Sequence, residues 1–203
     1  MSMLSEAFMG RFGKGDQGPE QRIRFARMLD EMMNEELFTE FGCGRFQDGF
    51  LHLFSQDLDV LDPLLETWSF LLPEAEGRRK VIGRNAYGAL LILEDFDTKG
   101  GVAPMCILDP ITLSYWGSEH CLYTNGLGHW LPQNKVLPTF LDDRLYKATR
   151  SVLPDLEFTV TEILGIKVPL PLGGTMDAAN FQVEDIADYY TSMAPIIRQA
   201  MGR

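Results

Sequence analysis

Apolar residues recur at helical spacing from Pro19 onward: Ile23, Ala26, Met28 or Leu29, and Met32-Met33, with Arg22, Arg24, Asp30 and Glu31 between them. This pattern predicts an amphipathic helix ending near Asn34, with Pro19 in the first turn, where a missing N–H is tolerated. Gly42-Cys43-Gly44-Arg45-Phe46 reads as a turn feeding a short strand, Phe50 to Phe54. Leu58, Leu61, Leu64 or Leu65, and Trp68 mark a second helix, with Pro63 near its start. The period then changes. Val81-Ile82, Tyr87 to Leu93, Val102 to Leu108 and Thr112 to Trp116 are short β-rich runs separated by turn sequences such as Asp109-Pro110, which predicts an antiparallel meander. The run Tyr87 to Leu93 is nearly continuous in its hydrophobicity, as a central strand covered on both faces requires.

Beyond Pro132 the helical spacing returns at Leu145, Ala148 and Val152, and again in a closing helix from Val183 to Met201 that Pro195 should kink. Between them, Leu164 to Gly174 reads as a loop punctuated by Pro169 and Pro171. The fold class is therefore α+β: a central antiparallel sheet flanked by N-terminal and C-terminal helices. Residues 1–18, with four glycines, read as a flexible lead. Residues 19–125 form the sheet-bearing region, and 126–203 a C-terminal region packed on the same body.

Charge sharpens this picture. The chain has 203 residues, with 18 Lys and Arg against 29 Asp and Glu, a formal charge of −11. Such a field repels phosphate backbones and anionic membranes and steers encounter with basic partners. No apolar run reaches the roughly 20 residues needed to span a bilayer, and no secretory leader pattern opens the sequence. Three scattered cysteines, Cys43, Cys106 and Cys121, point to a reducing compartment. A cytoplasmic protein, monomeric or weakly dimeric, is the expectation.

Candidate chemistry is sparse. His52, His120 and His129 show none of the local spacings of a zinc site. No Gly-x-Ser-x-Gly elbow or P-loop occurs, so neither a catalytic residue nor a metal or cofactor is assigned. Acidic clusters at Glu94-Asp95 with Asp97, and at Asp142-Asp143, read first as solvated faces and next as partner-facing patches. Tyr115-Trp116, Tyr123 and Trp130 gather aromatics around a glycine-rich segment. Trp116 suits the core; exposed Tyr123 or Trp130 would suit a binding anchor.

At Glu162-x-x-Gly165-Ile166-x-x-Pro169-x-x-Leu172-Gly173-Gly174, the sequence resembles the C-terminal signature of a bacterial family of immunity proteins paired with type VI secretion DNase toxins. Members carry a GAD-like N-terminal region, which the helix ending at Trp68 and Arg84-Asn85-Ala86-Tyr87-Gly88 resemble. Leu164 and Ile166 stand where that family usually has aromatics. The resemblance implies a non-enzymatic inhibitor that binds a basic toxin, with Tyr123 or Trp130 as anchor and the acidic clusters as steering groups. Rival expectations are a general interaction module and a small-molecule enzyme built from Glu162, His120 or His129 and the acidic clusters.

Overall fold

The computed structural model describes residues 3–23, 40–72, 79–94, 102–116, 121–123, 140–152 and 158–202. The expected meander is present. Strands β1 (Gly44–Phe46), β2 (Leu51–Leu53), β3 (Arg79–Asn85), β4 (Leu90–Glu94), β5 (Val102–Asp109) and β6 (Ser114–Trp116) pair antiparallel in chain order, and β7 (Cys121–Tyr123) also pairs with β5. All of β4 is buried, as its apolar run requires. The architecture is α+β, with helices near both ends of the chain.

The N-terminal residues depart from the flexible lead. Met3–Phe12 is a helix, α1. Phe8 and Phe12, one turn apart, are buried, and Phe8 packs 5.4 Å from Phe41 and 5.7 Å from Phe46. Gly13, at φ 76, closes α1 by donating its N–H to the Met9 carbonyl, the usual use of a left-handed glycine at a helix end. The glycines thus terminate a helix rather than loosen the segment. Conversely, Pro19–Gln21 is only a 3-10 turn, and Arg22 bridges to Ser55. Residues 24–39, where most of the predicted first helix falls, lie outside the described set.

The predicted second helix is split in two. A 3-10 segment, Gln56–Leu61, is capped by Ser55, and a single α-turn, α2 (Leu64–Thr67), follows Pro63. Proline there has no N–H with which to continue one helix through. Tyr87 also leaves the strand assigned to it. The Asn85 side-chain oxygen accepts from the Tyr87 and Ala89 amides, 3.0 Å each, and Gly88 has φ 81. An Asx-type turn therefore precedes β4.

Towards the C-terminus, α3 (Arg144–Val152) leads to a two-stranded antiparallel sheet, β8 (Glu162–Ile166) with β9 (Phe181–Asp185), and then to α4 (Ile186–Ala200). Leu164 to Ile166 is thus strand rather than loop, because the prolines bar regular structure only from 169 onward. The closing helix starts at Ile186 and not Val183. The Asp185 carboxylate caps it, accepting from the Ala187 amide at 2.8 Å. The helix continues through Pro195.

These elements close on the Arg84–Gly88 turn. The Leu164 amide donates to the Ala86 carbonyl at 2.7 Å, the Tyr190 hydroxyl to the Gly88 carbonyl at 2.7 Å, and the Asn85 amide group to the Phe140 carbonyl at 3.1 Å. Trp68, fully buried, donates its indole N–H to the Tyr190 carbonyl at 2.8 Å. One continuous apolar core runs from Phe8 to Ile197.

Candidate partner-binding surface

The signature segment comprises β8 and the first part of its connection to β9, and each of its marked residues has a local task. Glu162 accepts the Thr159 amide at 2.9 Å, shaping the turn into β8. Gly165 faces the Tyr189 ring so closely that a Cβ would sit 2.9 Å from it. The Pro169 carbonyl accepts from Leu172 at 2.9 Å and from Gly174 at 3.1 Å. Gly173 has φ 90, and a side chain on Gly174 would collide with the Val168 carbonyl. The double glycine is therefore demanded twice over, once by backbone conformation and once by close approach.

Asn180 braces the loop from the far side. Its side chain accepts from the Val168 amide at 3.0 Å and donates to the Val168 and Thr175 carbonyls at 3.0 and 2.9 Å. The braced loop holds apolar side chains in solvent: Leu172 is 56% exposed and Met176 47%, with Val168 and, on β9, Val183 also exposed. Four apolar side chains of the small sheet and its loop thus face outward rather than into the core. Gly174→Ala should force the loop open locally, at a cost of about 2 kcal/mol of backbone strain. Faster hydrogen exchange at the Leu172 and Gly174 amides, with β4 exchange unchanged, is the expected readout.

Met176 also overhangs a cleft of about 500 Å³ lined by Tyr87, Asp109, Ile111, Asp142, Leu145 and others. Its floor is the turn that staples the two halves of the chain. Tyr87 is buried, and its hydroxyl makes no hydrogen bond of normal geometry. Burial raises its pKa strongly, the nearby Tyr146 amide lowers it slightly, and the phenol keeps its proton at neutral pH. Asp109 accepts from the Ile111 and Thr112 amides at 2.9 and 3.2 Å, which fixes the wall after β5. Asp142, at the rim, binds the exposed Arg144 guanidinium at 2.5 and 2.8 Å. Those hydrogen bonds hold its carboxyl below the usual carboxylate range.

The other predicted site residues separate. Glu94 is buried and not a steering group: Arg79 reaches it across β3–β4 at 2.7 Å, and the Tyr115 hydroxyl at 3.1 Å. Asp143 is likewise buried, bound by Gln47 at 2.5 Å, Lys147 at 2.7 Å and Arg11 at 3.3 Å. Burial works to raise its pKa, but the Gln47 and Lys147 hydrogen bonds and the neighbouring cations prevail and lower it to about 2. Adjacent acids in sequence thus do opposite jobs: Asp142 at the rim, Asp143 as a latch between α1, the β1–β2 turn and α3. Tyr123 lies in β7 opposite Val102. Asp95, Asp97 and Trp130 fall outside the described residues, as do His120 and His129.

A second cleft of similar size lies between Gly13 and the β1–β2 turn, but it is polar. Within it Arg45 pairs with Asp16 at 2.7 Å and Arg150 with Asp48 at 3.1 Å. The Cys43 and Cys106 thiols are buried, and burial raises both pKa values, Cys43 to about 11, so neither is a thiolate at neutral pH. Among the described residues no helix is long and apolar enough to cross a membrane.

The sequence matches no protein-family model and no curated protein. A crystal structure of Atu4351 from Agrobacterium tumefaciens superposes on it with a TM-score of 0.58, over 93% of this chain and 87% of that one. The two share a fold. At 14% identity that likeness carries the architecture alone. Sequence reasoning missed the cleft because Tyr87 was placed in a strand. The signal that could have found it is Asn85 three residues before Gly88, an Asx-turn pattern.

Proposed function

We propose that this chain is an immunity protein that binds and neutralises a cognate secreted toxin, a basic nuclease, inside the cell that makes it. The supporting observation is the signature loop. A double-glycine turn, braced by Asn180, holds Leu172 and Met176 in solvent beside a cleft, on a chain carrying −11. A nuclease is basic because it grips phosphates, so the net charge favours fast encounter, while apolar anchors supply tight retention. With Glu94 and Asp143 committed to internal pairs, steering falls to exposed acids such as Asp57, Asp177 and Asp188.

Calorimetric titration against a catalytically inactive form of the protein encoded by the adjacent gene tests the proposal. Nanomolar binding, about −12 kcal/mol, that weakens with added salt is the expected outcome. No heat at tens of micromolar partner would remove the toxin reading and leave a general interaction module. The cleft gives specific support to one rival, a small-ligand site. Saturable binding of a metabolite there, with turnover, would favour that reading instead.

A further inference from the structure

We infer that the cleft beneath Met176 receives a basic side chain, arginine or lysine, from the protein partner. The inference rests on the proposed function and specifies how its surface selects a ligand. A long basic side chain has two parts, an aliphatic stem and a cationic head, and the cleft has a matching division. Ile111, Leu145 and the overhanging Met176 offer apolar wall. Asp109, whose oxygens accept from the Ile111 and Thr112 amides and the Thr112 hydroxyl, and Asp142 place two negative charges around the same space, against one guanidinium, Arg144, whose side chain is 87% exposed and already joined to Asp142. An entering carboxylate would meet a net negative site; an entering cation would be drawn in.

Tyr87 supplies an observation independent of charge. It is 7% exposed, it lines the cleft, and its hydroxyl lacks a hydrogen bond of normal geometry. A buried polar group in that condition is costly, and the Tyr146 amide beside it meets the need only in part. The Tyr87 oxygen can accept from a guanidinium or ammonium N–H, which closes that deficit. In the polar cleft beside Gly13 the charges are balanced instead, with Arg45 facing Asp16 and Arg150 facing Asp48.

The test uses N-acetyl-arginine methylamide as probe, with the matching glutamate and leucine derivatives, and reads the methyl NMR signals of Ile111, Leu145 and Met176. Saturable shifts with the arginine derivative alone, in the millimolar range, are expected. Tyr87→Phe and Asp142→Asn should each weaken that binding about three- to tenfold, while Arg144→Ala should strengthen it by freeing Asp142. Tyr87→Phe keeps the ring, and Arg144 is exposed, so both variants retain the fold. Equal or stronger shifts with the glutamate or leucine derivative, or no shift with any probe, would overturn the assignment. The same variants go into the calorimetric titration. A partner that binds wild type and variants alike removes the cleft from the interface and leaves the immunity reading standing. Arginine binding without any toxin binding retains the cation preference and removes the toxin.

Discussion

Arg84→Met is expected to lower the free energy of unfolding by about 3 kcal/mol, the largest loss from any single substitution considered for this protein. Arg84 is fully buried on β3, and its guanidinium donates only to backbone: to Val160 at 2.8 Å, to Asn85 at 3.2 Å and to the Thr159 carbonyl. It therefore holds the turn that enters β8 against the main sheet. Burial lowers its pKa to about 10, with Tyr146 and Glu162 opposing the shift, so it remains a cation at neutral pH. Methionine relieves the burial of charge but removes three hydrogen bonds from a charged donor, each worth about 1.5–3 kcal/mol; the Val160 carbonyl loses its donor, while the Asn85 and Thr159 carbonyls keep the Gly88 and Glu162 amides. The second effect prevails because three hydrogen bonds from a charged guanidinium are lost together. Lysine should recover little, since one ammonium cannot reproduce a planar fork spanning separate carbonyls. Urea unfolding measures the loss. A change below about 1 kcal/mol would mean that the carbonyls find other donors and that Arg84 does not staple this turn to the sheet.

Acid should destabilise the protein well above the carboxylate range, and His52 is the reason. Its side chain lies in β2, in register with Arg45 on one side and Arg84 on the other, and neither ring nitrogen has a hydrogen-bond partner. Burial first, then the Arg84 charge, lower its pKa from 6.5 to about 4, with Asp57 and Asp16 opposing weakly. The unfolded chain therefore binds the proton more readily than the folded one. Stability is full above pH 6.5 and declines as the pH falls towards 4, by about 3 kcal/mol across that window. Below it the His52 contribution is flat, and the loss from Asp143, whose folded pKa is depressed, follows as the pH falls from the ordinary carboxylate range towards 2. His52→Leu should match or exceed wild type at pH 7 and lose the decline between 6.5 and 4. An unaltered decline in the variant would assign the acid sensitivity elsewhere.

Both effects fall in or beside the segment Arg84-Asn85-Ala86-Tyr87-Gly88. In the fold it works as a hub. Arg84 holds the 159–160 carbonyls, Asn85 ties to Phe140, the Ala86 and Gly88 carbonyls receive Leu164 and Tyr190, and Tyr87 lines the cleft. Nothing local in five residues distinguishes a strand entrance from such a hub, because its partners lie some 55 to 102 residues away.

The sequence by itself determined the antiparallel meander, the helical character of 144–152 and of the chain's end, and the negative field. Each of these is a local pattern: alternation, helical spacing, turn residues or summed charge. It also marked the Gly173-Gly174 turn, since only glycine suits both its backbone angle and its close approach to Val168. The tertiary structure alone decided which acids are available. Asp142 and Asp143 are neighbours in sequence, yet one meets water and the other meets Gln47, Lys147 and Arg11. Only the fold could likewise turn Phe8 and Phe12 from a lead into core, and close a cleft from the ends of β3 and β5, α3 and the signature loop. Burial and pairing depend on what distant segments bring to a side chain, and no spacing along the chain encodes that.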